Sequence, residues 1–216
     1  MKSFYRQVLF PRLLDWVLAS ERLEGYRRQL LAQVRGAVLE IGFGTGLNLA
    51  CYPAEIEKIT VVDPNPGMGS LARRRIAASP IAVDWQVADA QELPFPNQSF
   101  DSVVSTWTLC SIPDVGKALR EIRRVLRAGG KLFFLEHGLS PDPQVQSWQR
   151  RLNPIQRAIG DGCNLDRDMA RLIQGAGFRF ERLERFYMPN QPRFIGYTYQ
   201  GIALPDPEKN LRAEGA

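Results

Sequence analysis

Between residues 4 and 34 the apolar positions recur at helical spacing. Phe4, Val8, Leu13 and Val17 form one set and Leu23, Leu30, Leu31 and Val34 a second, with charged residues between them. That period predicts two amphipathic helices. From residue 37 the pattern changes. Short strand-like runs at Ala37–Ile41, Ile59–Val62, Val83–Val87, Ser102–Thr106 and Lys131–Leu135 alternate with helix-period stretches at 46–51, 66–78 and 114–127. Asp114 is placed to cap the last of these, and Gly129-Gly130 to stop it. Strands alternating with helices predict a parallel sheet with helices on both faces.

The last third reads differently. A long polar segment containing aromatics, 138–165, precedes a helix at Asp166–Gly175. Two strands follow, Phe178–Phe186 and Phe194–Ile202, joined by the Pro-rich Met188-Pro189-Asn190-Gln191-Pro192. With no crossover helix between them, they suit an antiparallel hairpin at one edge of the sheet. The expectation is one α/β domain over 1–204. In it 1–35 form a lid of two N-terminal helices, 138–165 a substrate-side insert, and 205–216 a polar, disordered tail.

The glycines locate the chemistry. Glu40-Ile41-Gly42-Phe43-Gly44-Thr45-Gly46 directly follows the apolar run Ala37-Val38-Leu39, and Asp63 ends the next one. Alternating glycines let backbone N–H groups approach a ligand closely. A carboxylate about twenty positions on is where a doubly wound sheet meets a ribose diol. The dinucleotide fingerprint G-x-G-x-x-G fits poorly, because the third glycine arrives one residue early and Leu47 takes its place. Glu40, two positions before the first glycine, would repel a pyrophosphate and favour a cationic or amino-acid ligand. An NAD-dependent oxidoreductase is therefore the rival class, not the preferred one.

Composition narrows the setting without changing that picture. With 216 residues, 44% apolar and 24% charged, the chain can bury a substantial core. Three scattered cysteines, Cys51, Cys110 and Cys163, make no disulfide framework and suit a reducing cytoplasm. They are read as small packing residues without zinc-ligand spacing, so no metal is expected. No run is long enough to span a bilayer, and no signal peptide is read. The net charge is +5, with arginines clustered at 73–75, 123–124 and 150–151. Solvated helix faces account for them, weak peripheral attraction to anionic membranes being the alternative. No basic stretch is interleaved with aromatics, so nucleic acid is not expected as a partner.

The pattern E-x-G-x-G-x-G resembles motif I of the class I S-adenosylmethionine (SAM) methyltransferases, whose seven-stranded, Rossmann-like, mostly parallel sheet ends in an antiparallel edge hairpin. A closer resemblance covers about residues 37–202. Tyr52-Pro53, Asp63-Pro64-Asn65-Pro66, Leu109-Cys110-Ser111, Arg123 to Arg127, Glu136-His137 and Asp161-Gly162-Cys163-Asn164-Leu165 are similar to the methyltransferase-like thiol methyltransferases. Their animal members are membrane-associated and S-methylate small alkyl thiols. This chain lacks their hydrophobic N-terminal anchor and has Phe43 where Cys is usual. The resemblance implies SAM as methyl donor, S-adenosylhomocysteine as product and a small lipophilic acceptor.

Ligands of an open α/β sheet lie beyond the carboxyl ends of its strands. That rule selects Gly42, Phe43, Gly44 and Gly46 after strand one, Asp63, Pro64 and Asn65 after strand two, and Asp89 with Ala90 after strand three. Thr106 ends strand four and Trp107 follows it. Glu40 and these positions form the expected cofactor site, with Asp63 on the ribose hydroxyls and Asp89 on the adenine amine. His137, the only histidine, follows strand five and is the candidate base for a thiol. Asp161 is the second catalytic candidate. The pocket is expected under the N-terminal helices and the 138–165 insert, lined by Phe4, Tyr5, Trp16, Trp148 and Tyr187. The Asn/Asp-Pro-Pro-aromatic motif of amino-directed nucleic-acid methyltransferases is missing. N- or O-methylation of an amine, phenol, quinone or lipid, and SAM binding without catalysis, remain open at this point.

Overall fold

The computed structural model describes residues 5–207, the side chains of Arg6, Pro66 and Ser70 excepted. Its strands are β1 (Val38–Ile41), β2 (Lys58–Val62), β3 (Ala82–Gln86), β4 (Phe100–Thr106), β5 (Leu126–His137), β6 (Phe178–Tyr187) and β7 (Tyr197–Pro205). They form one sheet in the order β3-β2-β1-β4-β5-β7-β6. β1 pairs in parallel with both β2 and β4, while β7 runs antiparallel to β5 and β6. The expected α/β class and edge hairpin are both present. Strand order switches between β1 and β4, which opens a crevice at their carboxyl ends.

Two apolar layers sandwich the sheet. On one face α4 (Val115–Val125) and α6 (Met169–Gly175) pack Leu119, Ile122 and Ile173 against Leu39, Leu132 and Phe134. On the other, α2 (Glu21–Leu31) and α3 (Gly69–Ala78) bring Leu30, Leu31 and Ala72 to Val38, Val61 and Phe133. Every residue of β1 is buried, as a central parallel strand requires.

The N-terminal amphipathic pattern becomes a π-helical turn, Tyr5–Leu9, running into α1 (Phe10–Leu18), followed by α2, which Ser20 caps. α1 is fastened to the glycine loop. Its Asp15 accepts hydrogen bonds from Thr45 Oγ1 at 2.6 Å and Arg75 Nη1 at 2.7 Å. Arg75 also donates to the Thr45 carbonyl. One arginine from each of two clusters thus ties elements together, while Arg73 and Arg74 stay on an exposed face as expected. Arg75 joins α1 to α3, and Arg124 donates to the Leu93 and Phe95 carbonyls below β4.

Some elements differ from expectation. The stretch 46–51 holds only a 3-10 turn, Leu49–Cys51, because the glycine loop's left-handed backbone (Gly46 φ +80°) precedes it. β5 starts at Leu126, and its pairing with β4 passes from Leu126 to Lys131 across an irregularity that holds Gly129-Gly130, with Gly129 at φ +79°. The insert carries a 17-residue helix, α5 (Pro143–Ile159), capped by Asp142. Its buried Gln149 donates to the Gly138 and Phe194 carbonyls and accepts from the Ser140 amide, so polarity that reads as loop is an anchor. β7 begins at Tyr197 after a short helical turn, α7 (Arg193–Gly196). It also takes in Pro205, and the Asp206 amide bonds to the Gly177 carbonyl; the rest of the expected tail, 208–216, lies outside the described residues. Among the described residues no helix is long and apolar enough to cross a membrane.

Gly201 sits where β7 crosses both neighbours. A methyl group there would overlap the Arg182 carbonyl and press on the Phe134 ring. Gly201→Ala should therefore lower the unfolding free energy by about 1–3 kcal/mol, the usual range for overpacking. A urea midpoint unchanged from wild type would show that the hairpin can move aside.

Candidate active site

The crevice is a cavity of about 1240 Å³ roofed by α1, the start of α2 and the end of α5. One wall is the loop after β1. Gly42, Gly44 and Gly46 all have positive φ (+68°, +57° and +80°). At Gly42 even a methyl group would collide with Thr108, so glycine is required by both conformation and space. The Gly44 amide donates to Asp63 Oδ2 at 2.7 Å and the Asn65 amide to Oδ1 at 2.8 Å. Asp63 is thereby fixed at the end of β2, each oxygen keeping a lone pair for a further donor. Phe43 packs edge-on against Trp85, a contact within the core.

Glu40 is fully buried under the glycine loop. Oε1 accepts from Asn48 Nδ2 at 3.0 Å and Oε2 from the Tyr52 hydroxyl at 2.6 Å. Burial pushes its pKa up to about 7, against the opposing pull of these two donors and of Arg27. Arg27 is itself 2% exposed. It donates to the Leu18 carbonyl and stacks on the Trp107 ring at 4.8 Å, yet its Nε has no partner among the described residues. Asn48 Oδ1 is likewise buried and unpaired. Both residues line the one cavity, and their unpaired atoms lie buried behind its surface, an acceptor and a cation of the kinds that the ammonium and carboxylate of an amino-acid moiety need. Sequence reasoning did not find Arg27 or Asn48. A buried arginine on an amphipathic helix leaves no signal, whereas Asn48 stands out between Leu47 and Leu49.

Other expected residues are placed around the same cavity. Pro64, Asn65, Asp89, Ala90, Thr106 and Trp107 all line it. Asp89 is exposed at the rim and accepts from Gln91. Thr106 Oγ1 accepts from Asn48, and Trp107 takes a left-handed turn (φ +50°). That turn is pinned by Glu136, a buried carboxylate accepting from Ser105 Oγ and the amides of Thr108, Leu109 and Cys110. Asp161 lies on the insert in a left-handed conformation (φ +46°), and its charge opposes ionisation at Asp63.

The far wall holds His137. Cys163 Sγ lies 3.2 Å and Cys110 Sγ 3.9 Å from its Nε2. Both cysteines are buried, and both are among the cavity-lining residues. Cys163 hydrogen-bonds to Cys110 and, with the His137 charge, holds the Cys110 thiol well below its usual pKa while its own is pushed up. Burial lowers the His137 pKa, but the Cys110 charge, the Cys110 hydrogen bond and the Glu136 charge together outweigh it and the net direction is up. The scattered cysteines thus converge on the one histidine across separations of 27 and 26 residues, which spacing in sequence cannot show.

The expected aromatic lining is not there. Trp16 and Trp148 are 80% and 56% exposed, Tyr5 bonds to the Ile159 carbonyl, and Tyr187 bonds to Ser140. Phe4 lies outside the described residues. Instead Phe10, Leu13, Leu14, Val17, Ile159 and Ile195 form the apolar side of the cavity. Helical phase explains it, since Leu13, Leu14 and Val17 turn inward and carry Trp16 outward.

The switch-point crevice, the glycine loop and the carboxylate at the end of β2 define a class I methyltransferase. Residues 39–134 match the methyltransferase domain family. The thiol S-methyltransferase TMT1B of Rattus norvegicus is 35% identical over 81% of this chain and 77% of its own length. The demethylmenaquinone methyltransferase of Symbiobacterium thermophilum is 33% identical over 62% of this chain and 60% of its own. A SAM-dependent methyltransferase of Thermotoga maritima superposes with a TM-score of 0.64 at 22% identity, covering 94% of this chain and 96% of that one. The chain belongs to the SAM-dependent methyltransferases, in the family of the thiol S-methyltransferases.

The buried carboxylate gives a pH signature. Glu40 has a folded pKa of about 7 against an ordinary 4.5, so the folded state binds more protons than the unfolded one in between. Stability must then fall as pH rises through that window. Glu40→Gln should flatten the fall, gaining on wild type at pH 8 relative to pH 5 in urea melts. A variant equally destabilised at both pH values would mean that ionisation of Glu40 carries no such cost.

Proposed function

We propose that this methyltransferase transfers the methyl group of SAM to a small lipophilic thiol. The observation that carries the reading is the far wall, where the Nε2 of a half-buried imidazole meets the cavity beside two sulfur groups and an aliphatic roof. The names of the TMT1B relatives support the same acceptor.

The residues present fit the donor. Asp63 keeps lone pairs that would hold the ribose diol, Glu40 and Asn48 would hold the ammonium, and Arg27 would hold the carboxylate. Asp89 and Ala90 border the adenine position. Asp161, whose charge already opposes that of Asp63, offers its carboxylate to the sulfonium. SAM supplies an electrophilic methyl that needs no further activation. The protein's task is then to align an acceptor sulfur with it, exclude water beneath α1 and α5, and favour the thiolate at His137. Orientation of this kind supplies on the order of 7–11 kcal/mol in favourable systems.

Two variants separate the poles. Asp63→Ala removes charge-assisted hydrogen bonds of about 1.5–3 kcal/mol, so S-adenosylhomocysteine affinity should fall roughly 10–100-fold in calorimetry. His137→Ala should leave that affinity unchanged and cut methyl transfer to alkyl thiols. A product screen by mass spectrometry over thiols, amines, phenols and quinols decides the acceptor. Methylated quinol without thioether would give the quinone reading that the apolar roof and the demethylmenaquinone relative favour. No product from any acceptor would leave a SAM-binding protein without catalysis.

A further inference from the structure

Cys110, His137 and Cys163 come from three separate segments: the turn after β4, the end of β5, and the loop after α5. Their ligand atoms all lie within 4.8 Å of one another. Both sulfurs approach the same nitrogen, Nε2, at 3.9 Å and 3.2 Å. A tetrahedral ion with bonds of about 2.3 Å to sulfur and 2.0–2.1 Å to nitrogen sets S···N near 3.5 Å. The observed pair brackets that value.

The protein holds these groups together by means independent of any ion. Asn164 donates its amide and its side-chain Nδ2 to the Cys110 carbonyl at 2.9 Å and 3.0 Å. Arg167 donates to the carbonyl of Leu109, and Glu136 receives the Cys110 amide. Asp161 and Gly162, both at positive φ, turn the loop so that Cys163 faces back. Packing alone would not require two cysteines and a histidine to line an open cavity with Ser111 and Gln156 beside them.

We propose that Cys110, His137 and Cys163 bind a thiophilic divalent cation of the Zn²⁺ type, whose fourth position opens into the cavity and takes the acceptor's thiolate. Three protein ligands with one open position is the pattern of catalytic rather than structural zinc. The cation is independent of the acceptor, whereas its fourth ligand rests on the thiol reading. When a thiol binds, its S–H proton leaves with the displaced water and the sulfur lone pair takes the open position. In the transfer that sulfur bonds to the methyl carbon as the carbon–sulfonium bond breaks. The bonding pair stays on the donor sulfur. The donor leaves as a neutral sulfide, the methylated acceptor as a thioether, and water returns to the ion. His137 then serves as a ligand and no proton is taken in the transfer step.

The test is Co²⁺ titration of the full-length, reduced, chelator-treated protein. One equivalent per chain should bind, with a sulfur-to-cobalt charge-transfer band and the intense d–d bands of a tetrahedral site. Cys110→Ser and Cys163→Ser should each weaken binding beyond the roughly 10–100-fold that losing a supporting partner costs. Cys51→Ser, buried elsewhere against the Leu47 carbonyl, should not. S-adenosylhomocysteine affinity should hold in all three, which controls for folding. Adding a short alkyl thiol should shift the d–d bands, while the matching amine leaves them in place. Substoichiometric Co²⁺, spectra without sulfur ligation, or a Cys110–Cys163 disulfide as the resting form of the air-purified protein would overturn the site. If metal-free protein methylates thiols at full rate, the metal inference fails and the thiol reading survives. If Co²⁺ binds through both cysteines but thiols neither shift the bands nor yield product, the cation site stands and the thiol reading fails.

Discussion

Glu136 is the group on which the site depends. It stands at the end of β5 with no solvent access and collects four donors, Ser105 Oγ and the amides of residues 108–110. A buried amide left without an acceptor costs about 1–3 kcal/mol, so three of them could not stay in this turn alone. Satisfying them allows β4 to end in the left-handed residue Trp107. From that point the chain divides the cavity. Trp107 stacks on Arg27, Thr108 meets the Gly42 carbonyl of the glycine loop, and Cys110 faces His137. Carbonyls of the same turn then receive Asn164 and Arg167, so the insert hangs on a loop that Glu136 has already fixed. The carboxylate is strained by this position, its pKa pushed up to about 8 by burial and then by the Cys110 charge.

The roof is bound to the floor through a second polar contact. Asp15 on α1 meets Thr45 inside the glycine loop and Arg75 on α3. The helix that roofs the cavity therefore touches the glycine loop that forms its wall. An amphipathic helix needs something to bury its apolar stripe against. Here the stripe is only partly used, for Leu13 and Val17 line the cavity and are still about half exposed.

The sheet was legible in the sequence because its strands are continuous apolar runs separated by helix-period stretches, and the glycine loop because three glycines at alternate positions serve no helix or strand. Asp63 was legible for its position just past β2. Elements failed where tertiary contacts overrule local signals. The helix α5 is polar because Gln149 anchors it by hydrogen bonds and its outer face meets solvent. β5 begins before Gly129-Gly130 because Leu126 already pairs with Phe100, the glycines lying in an irregularity of the ladder. At the site, Arg27 was invisible because an arginine on an amphipathic helix reads as surface. The convergence of Cys110, His137 and Cys163 was invisible as well, being a property of strand order and of one loop's hydrogen bonds. The segments carrying them, Leu-Cys-Ser and Asp-Gly-Cys-Asn-Leu, did stand out as specific. Their meaning required the fold.

On the proposed reading, the distribution of charge gives the cavity a direction. Glu40, Asp63 and Asp89 line the cavity from the ends of the first strands and Asp161 from the insert, against one lining arginine among the described residues, Arg27, while sulfur, imidazole and aliphatic side chains make up much of the rest. A carboxylate-rich lining with Glu40 and Asp63 buried favours a cationic ligand over a neutral one of the same shape, because Coulomb attraction is screened less there than in water. The donor is the cationic partner and its product is neutral. Transfer therefore removes the charge that the acidic wall was arranged to hold, and leaves neighbouring carboxylates facing one another. Asp63 already feels Asp161 in this way. The repulsion that the sulfonium offsets returns with the product, so one arrangement of carboxylates both draws the donor in and weakens the hold on what it becomes.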